Sequence, residues 1–442
     1  MANTSQTPGK VRLLINRNFA LLWGGGIVSA AGDYLFNTTL LLWIATQITR
    51  GQTWAPLAVG GLLLATSLPI FLIGPIAGVF VDRWDKRQTM LRMDASRAIL
   101  IALLLPISGI VPLPFLSGGH LPAALQISII YIIVFLASTC GQFFNPSALA
   151  LTGDIVDEPY RARATGMTQM MFSLAAIVAP PIAALLFFAI GAQLAILFNA
   201  LSFVVSFLAV LATRPPRSTR SLEEGERGNF LREFVEGIGF TFGNSILRII
   251  LIAAFLVVLY EGAFNTLGIF FLQQNLHTAP NLYGFLDTAM GAGLTIGAAL
   301  AAAFAQRIGV ARVLSMGLLI AGLFVIVYAR LTSFLPALIV MFALGFLAGG
   351  VNVAVGPLLF HTTPKALIGR VAAIANPLLS LSSMLAIATV SYLDSTIMHN
   401  FHATLFGISF GPLDTIFLST GILATLGGLY AVVNLRGVKL AD

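Results

Sequence analysis

Charge is what this chain has least of. Only 9% of its 442 residues are Asp, Glu, Lys or Arg, where ordinary soluble domains carry about a quarter. With 58% hydrophobic residues, a water-soluble fold of this length would lack the polar surface to cover its core, so most of the chain must face lipid or other helices. Cysteine is nearly missing too: the single Cys140 excludes an intrachain disulfide. There is no G-x-x-x-x-G-K-[ST], so ATP drive would need a partner subunit. Nor is there an H-E-x-x-H or a cysteine–histidine pair at useful spacing, so no enzyme activity and no cofactor are expected. The net charge of +7 would suit nucleic acid, but the basic residues stand in short loops between apolar runs, a pattern that orients membrane helices instead.

The apolar runs are long. A crossing needs about 20 residues, and the chain offers Phe19–Ile48, Ala55–Val81, Thr89–Pro112, Leu121–Asn145, Gly166–Ile190 and Gln193–Thr213. After a polar stretch follow Leu247–Leu272, Gly284–Ala305, Val310–Arg330, Phe334–Phe360, Val371–Leu393 and Pro412–Asn434. The run after the basic N-terminus is too long for a cleavable signal and reads as the first span. The expected fold is therefore all-α, an integral membrane protein with twelve transmembrane helices. Its parts are a six-helix bundle over 1–213, a linker with an amphipathic segment over 214–246, and a second six-helix bundle over 247–442. With the N-terminus inside, every Lys and Arg except Arg50 and Arg330 falls on the inner side. Both termini are thus expected in the cytoplasm of a multi-pass protein of the plasma (inner) membrane.

The halves look related. The first span contains Asp33-Tyr-Leu-Phe36-Asn37-Thr38 and the seventh Glu261-Gly-Ala-Phe264-Asn265-Thr266. Both read acid-x-x-Phe-Asn-Thr, at the same depth in the opening helix of each half. A carboxylate deep in hydrocarbon costs several kcal/mol unless it meets water, a partner or a proton. Asp33 and Glu261 are therefore the first candidates for proton coupling or substrate contact. The plainer alternative is an acid bonded to backbone or to an Asn of a neighbouring helix. On each helix the acid, the Phe and the Asn share a face, a mix suited to an amphipathic or cationic organic molecule. Asn37, Gln142, Asn145, Gln169, Asn265, Asn352 and Asn376 are polar residues available to line a cavity, although each alone is more often a helix–helix hydrogen bond. Tyr131 and Tyr260 share that ambiguity. His399 and His402, near Asp394, lie in an outer loop without further ligands, so a solvated loop is expected rather than a metal site.

A second constellation closes the second span: Gly78-Val-Phe-Val-Asp82-Arg83-Trp-Asp85-Lys86-Arg87. Gly78 would allow close helix approach, and Asp82 among cations could form ion pairs that hold one of two conformations. Asp94 and Arg97, spaced i,i+3, are expected to pair with each other or with this cluster, as a moving or a purely structural pair. A degenerate copy follows the eighth span (Ala302, Gln306-Arg307, Gly309, Arg312), with Gln in place of the acid.

The Asp82 loop resembles the signature G-x-x-x-D-R-x-G-R-R of the major facilitator superfamily, departing at Asp85, where the family usually has Gly. Ala175-Ala-Ile-Val-Ala179-Pro180-Pro181-Ile-Ala183-Ala184 is similar to the antiporter motif of drug exporters with each Gly replaced by Ala. Asn16-Arg17-Asn18-Phe19, Gly32-Asp33, Leu231-Arg-Glu-Phe-Val-Glu-Gly237 and Gly369-Arg370-Val371 resemble the macrolide-efflux group of that superfamily. The resemblance implies a major facilitator fold of two pseudo-symmetric six-helix bundles and proton-driven export of drugs or amphipathic metabolites by a monomer. Its partners would be a small-molecule substrate, protons and the lipid bilayer. One departure stands out: the fourth span, Leu121–Asn145, has no Arg or Lys, so the relay that many proton-driven exporters place there cannot be carried over. A carrier of a specific metabolite, siderophore or lysophospholipid, and a non-transporting sensor or scaffold, remain as alternatives.

Overall fold

The computed structural model describes residues 15–81, 83–109, 121–214, 239, 243–363, 368–405 and 407–435. The first half holds α1 (Arg17–Trp43), α2 (Ala55–Leu72), α3 (Gly74–Val81), α4 (Lys86–Ala102), α5 (Ala123–Ile155), α6 (Arg161–Ile190) and α7 (Ala192–Ala212). The second holds α8 (Ser245–Gln274), α9 (Tyr283–Ile308), α10 (Val310–Tyr328), α11 (Phe334–Thr362), α12 (Ile368–Tyr392) and α13 (Pro412–Asn434). Most of the linker, Asp82, Lys365 and the segment after Leu435 lie outside the described residues.

Local chemistry explains where the helices depart from the expected spans. The second span is broken into α2 and α3 because Pro75 has no N–H for the Phe71 carbonyl. The third is shorter than expected: α4 stops at Ala102 and turns follow over 103–109, around Pro106. The fourth runs to Ile155, well past Asn145, since α5 absorbs Pro146 and continues with polar residues beyond the apolar stretch. Asp85, the departure from the family loop, caps α4 by accepting from the Gln88 N–H at 2.7 Å. Asn16 caps α1, accepting from Phe19 N at 2.8 Å, while its amide donates to the Ile155 carbonyl at 2.7 Å. Asn18 ties α1 to the end of α7 by donating to the Arg214 carbonyl at 2.8 Å.

Eleven helices among the described residues are long and apolar enough to cross a membrane, against the twelve expected. The exception is α4, which spreads Lys86, Arg87, Arg92, Asp94 and Arg97 over its first turns. A two-stranded hairpin, Ala403–Leu405 with Ile408–Phe410, interrupts the otherwise helical fold. Arg330, one of the two cations on the outer side of the expected topology, is held there. It pairs with Asp414 at 3.3 Å, donates to the Ser409 carbonyl at 3.1 Å and stacks on Phe410. Asp414 also accepts from Asn275, joining the ends of α8, α10 and α13.

Packing repeats between the halves. In the first, α1 lies on α6 and α7, α2 on α5, and α4 on α5 and α7. In the second, α8 lies on α12 and α13, α9 on α11, and α10 on α11 and α13. Each contact of one set has its counterpart in the other. The halves meet along two seams, α6 with α9 and α2 with α12, which exchange under the same correspondence.

The ends of the bundle differ. At the end away from the linker, one continuous apolar core joins both halves, from Leu40, Leu42, Val59 and Ile130 to Phe271, Val325 and Phe417. At the linker end the core splits in two. Phe19, Met90, Leu151 and Val210 form one cluster in the first half, and Leu314, Leu318, Ala354 and Leu358 form another in the second. The halves are thus closed against each other at the far end and parted at the linker end.

Candidate functional site

Inside the first half lies a cavity of about 630 Å³, reaching from Phe19, Met90 and Thr152 near the linker end to Asn37 and Thr66 at mid-depth. Five of the sequence-derived candidates line it together: Asp33, Asn37, Gln142, Asn145 and Gln169. Arg97 lines it as well. The rest of the wall is largely apolar and aromatic, with Trp23, Phe36, Phe144 and Phe172.

Asp33 sits where α1 and α7 approach closely. Gly32 makes that possible: a Cβ there would come within 2.8 Å of the Asn199 Oδ1 and 2.9 Å of the Ser202 Cβ. Its neighbour Asp33 consequently meets Asn199, which hydrogen-bonds the carboxylate, and stands within electrostatic reach of Arg97. Arg97 is already engaged. It forms a buried ion pair with Asp94, and its guanidinium lies 4.3 Å from the ring centroids of both Phe144 and Phe203. Ser206 donates to the other Asp94 oxygen at 2.7 Å. Arg97 thus lines the cavity, with Asp94 buried behind it. One turn of helix separates them, but the Ser206 and Phe203 that fix them come from α7, which no local spacing announces. With Asp94 and Arg97 neutralising each other, Asp33 leaves the site one formal negative charge.

The loop residues make contacts within the first half. Lys86 pairs with Asp154 at 2.6 Å, and Arg87 donates to the Val210 and Leu211 carbonyls at 3.2 and 2.5 Å, satisfying the end of α7. Arg83 is exposed, and Asp82 lies outside the described residues. Gly78 was expected to allow close helix approach, yet a Cβ there would meet nothing within 4 Å. The linker end is parted in this conformation, so no helix comes near.

The second half repeats the pattern of exposure. Asp33 and Glu261 are both half-buried, Phe36 and Phe264 buried, Asn37 and Asn265 exposed, Thr38 and Thr266 buried. Yet Glu261, Asn265 and Asn352 do not line the cavity, and the Asn376 side chain lies outside the described residues. The space behind α8 is filled by rings: Phe264 lies 4.7 Å from Tyr328 and 4.9 Å from Phe417, with Tyr260 and Phe271 completing the nest. His399 Nδ1 is 3.2 Å from the Thr396 carbonyl, and no group of three His, Cys, Asp or Glu among the described residues is placed to hold a metal.

Sequence reasoning passed over two groups. Asn199 carries no signal by itself, because an Asn in a span is usually a structural bond. Asp287 is different. It is a lone acid inside the apolar run of α9, and the argument that singled out Asp33 and Glu261 applies to it equally.

The proline-containing stretch of α6 also finds a place. Pro181 lacks the N–H that would bind the Ile177 carbonyl, and that carbonyl accepts from Thr288 of α9 at 2.6 Å. Gly284 lies directly on the Pro180 carbonyl. The prolines and Ile177 therefore lie on the seam between the halves, while Ala175 packs with Ala30 of α1 and Ala179 and Ala183 with its Leu35.

Comparison with known proteins agrees with this architecture. The chain is 26% identical over 406 residues to the uncharacterized MFS-type transporter YkuC of Bacillus subtilis, covering 89% of each chain. It is 23% identical over 286 residues to macrolide efflux protein A of Streptococcus pyogenes, covering 65% of this chain and 66% of that one. Among solved structures, a bacterial homologue of the human lysosomal transporter Spinster, inward-facing and unoccupied, superposes with a TM-score of 0.66 at 14% identity over 94% of this chain and 95% of that one. The nucleoside transporter NupG superposes with a TM-score of 0.69 at 11% identity, over 96% of this chain and 100% of the other. The Major Facilitator Superfamily model matches residues 22–387, and the chain belongs to that superfamily of multi-pass membrane transporters.

Proposed function

We propose that this transporter is a proton-coupled exporter of amphipathic or cationic small molecules, working as a monomer in the plasma membrane by alternating access. The linker end faces the cytoplasm, α4 is the twelfth crossing, and the bundles of 1–213 and 247–442 rock about the two seams. Cargo enters the first-half cavity from the cytoplasm while the far end is shut. The carrying observation is the cavity itself: an apolar and aromatic hollow that extends toward the linker end, with Asp33 giving it one net negative charge. A cation with an apolar body satisfies both wall and charge. A proton on Asp33 removes the charge and with it the hold on the cargo, which is how one carboxylate exchanges the two. The macrolide efflux relative supports export, and a second relative, a Na(+), Li(+), K(+)/H(+) antiporter of Planococcus maritimus at 22% identity over 46% of this chain and 45% of that one, supports proton exchange. Glu261 lies at matching depth in α8 and is the second coupling candidate, although it does not meet the cavity in this conformation.

The test is flux in proteoliposomes under an imposed pH gradient, using a fluorescent lipophilic cation as cargo. Asp33→Asn should lower gradient-driven flux by roughly tenfold or more, the loss expected for one charge-assisted contact, with the protein still folded. Glu261→Gln should lower it less. Unchanged flux with Asp33→Asn would remove that group from the mechanism.

A further inference from the structure

The helix α2 begins without a cap of its own. A cap residue accepts from the second or third N–H of its helix through a side-chain oxygen, and its backbone is extended. Trp54 has no side-chain oxygen, and its backbone stands at φ −89° and ψ 8°. The amides of the first turn can be followed one by one. Ala55 N–H donates to the Gln52 carbonyl at 3.2 Å, Pro56 has no N–H, and Ala58 N–H donates to the Trp54 carbonyl at 3.0 Å. Leu57 N–H is left over, and it donates to the Ser395 hydroxyl at 3.0 Å. Ser395 belongs to the opposite half, 338 positions along the chain. It is buried in the widened π-turn Leu393–Ile397 that ends α12.

The surroundings show how much rests on that bond. One turn earlier on α12, Ser391 lies directly on Gly60, where a Cβ would come within 2.6 Å of the Ser391 Cβ. Beside these contacts the α2–α12 seam is hollow. A groove of about 780 Å³ is lined there by Leu57, Ala58, Gly61, Ile127, Tyr131 and Thr389, so on that side the bond is not backed by packed side chains. The same turn of α2 is tied to its own half by Tyr131 of α5, whose hydroxyl donates to the Ala58 carbonyl. The opening turn of α2 therefore holds one side-chain bond to each half.

We propose that Ser395 is a positioning residue of the far-end gate: it caps α2 across the seam only while the halves are closed there, so that shutting the gate and completing the first turn of α2 are one event. When the halves part, Tyr131 keeps the turn with the first half and Ser395 leaves with the second. Leu57 N–H then has to find water beside lipid, where backbone groups are poorly hydrated. Because the bond exists in one state only, its worth falls on the balance between the states, about fivefold for a single net hydrogen bond. The other seam is fastened alike: Thr288, also of the second half, donates to the Ile177 carbonyl that Pro181 leaves free. Each seam thus sets one hydroxyl of the second half on a backbone group that a helix of the first cannot satisfy. The role rests on the rocking of the halves proposed above, and not on the cargo or on proton coupling.

The experiment reads two distances in lipid nanodiscs, without cargo or gradient, in a Cys140→Ala background. One spin-label pair replaces Thr53 and Asn400, exposed at the far end, and the other Glu158 and Arg312, exposed at the linker end. Ser395→Ala should raise the ratio of long to short far-end distances about fivefold and shorten the linker-end distance in the same fraction of molecules. Amide exchange in the first turn of α2 should quicken with it. Ser395→Thr, which keeps the acceptor, should match the parent. Gly60→Ala wedges the seam against Ser391 and should open the far end by itself, and adding Ser395→Ala to it should change little, since the bond is already broken. With Thr288→Val, on the separate seam, the effect of Ser395→Ala should instead multiply. The proposal is overturned if Ser395→Ala leaves both distances unchanged. It is equally overturned if that variant quickens exchange while the linker-end distance stays put, for the cap then serves its own helix alone. A single population in every variant, Gly60→Ala included, would sink the rocking of the halves and this role with it. As neither cargo nor a proton gradient enters the readout, it and the flux assay can fail independently.

Discussion

The two halves share a plan and differ in what fills it. α1 and α8 carry the same acid-x-x-Phe-Asn-Thr run, expose the same positions and pack on corresponding helices. In the first half the space beside the acid is a cavity with Asn199, Ser206 and Arg97 in its wall, and Asp94 buried behind Arg97. In the second, five aromatic rings from α8, α10 and α13 pack into one nest that includes Phe264. Duplicating a backbone thus does not duplicate a site. What stands beside each copy of the run is decided by the side chains of the partner helices, not by the run itself.

The sharpest way to break that contrast is at its polar core. Arg97→Ala leaves Asp94 buried without its cation, and should destabilise the protein by about 3–5 kcal/mol, read as a lower thermal midpoint in detergent. The paired change Asp94→Leu with Arg97→Met should recover most of it. If the single change costs little, the pair is not the wall's support. Next is the ring comparison. Phe264→Ala should cost about 3–4 kcal/mol by opening a void in the nest. Phe36→Ala, beside space that already exists, should cost about half as much by the same measure. Equal penalties would mean the halves are equally full. Smaller still, Thr288→Val removes one directional bond across the seam and should cost about 1 kcal/mol in the same thermal assay. Asp85→Ala removes only the cap of α4. It should cost at most about 1 kcal/mol in the same thermal assay and leave flux unchanged, in contrast to Asp33→Asn.

Much of this was legible before any coordinates. Composition, run length and the placement of Lys and Arg pointed to the helical membrane fold, because lipid leaves a chain few options. The repeat was visible in Asp33 and Glu261, and five of the cavity residues could be named from their polarity alone. What stayed hidden depends on distance along the chain. Nothing near Asp33 says that Asn199 will face it, and nothing in α8 says that Tyr328 and Phe417 will fill the space its twin leaves empty. The third span looks like the others by its apolar end, but Arg92, Asp94 and Arg97 shorten the apolar part of α4, and the burial of Asp94 and Arg97 depends on partners in α5 and α7 that lie far along the chain. Asp287 is legible by the same rule as Asp33, a lone acid in an apolar run, but it stands outside the motif that the halves repeat.

The missing N–H of Pro181 has a wider consequence. It leaves the Ile177 carbonyl to be claimed by a helix from the opposite half, so the junction there is fastened by one hydroxyl and otherwise by small, smooth residues such as Gly284 and Gly291. A joint made that way has little to unlock. Sliding past it sacrifices a single polar contact and few interdigitated side chains, and the stripped carbonyl can be hydrated as soon as water arrives. An imino acid in the middle of a span, which looks like a flaw in a helix, thereby becomes a bearing surface for the motion that carries cargo across the bilayer.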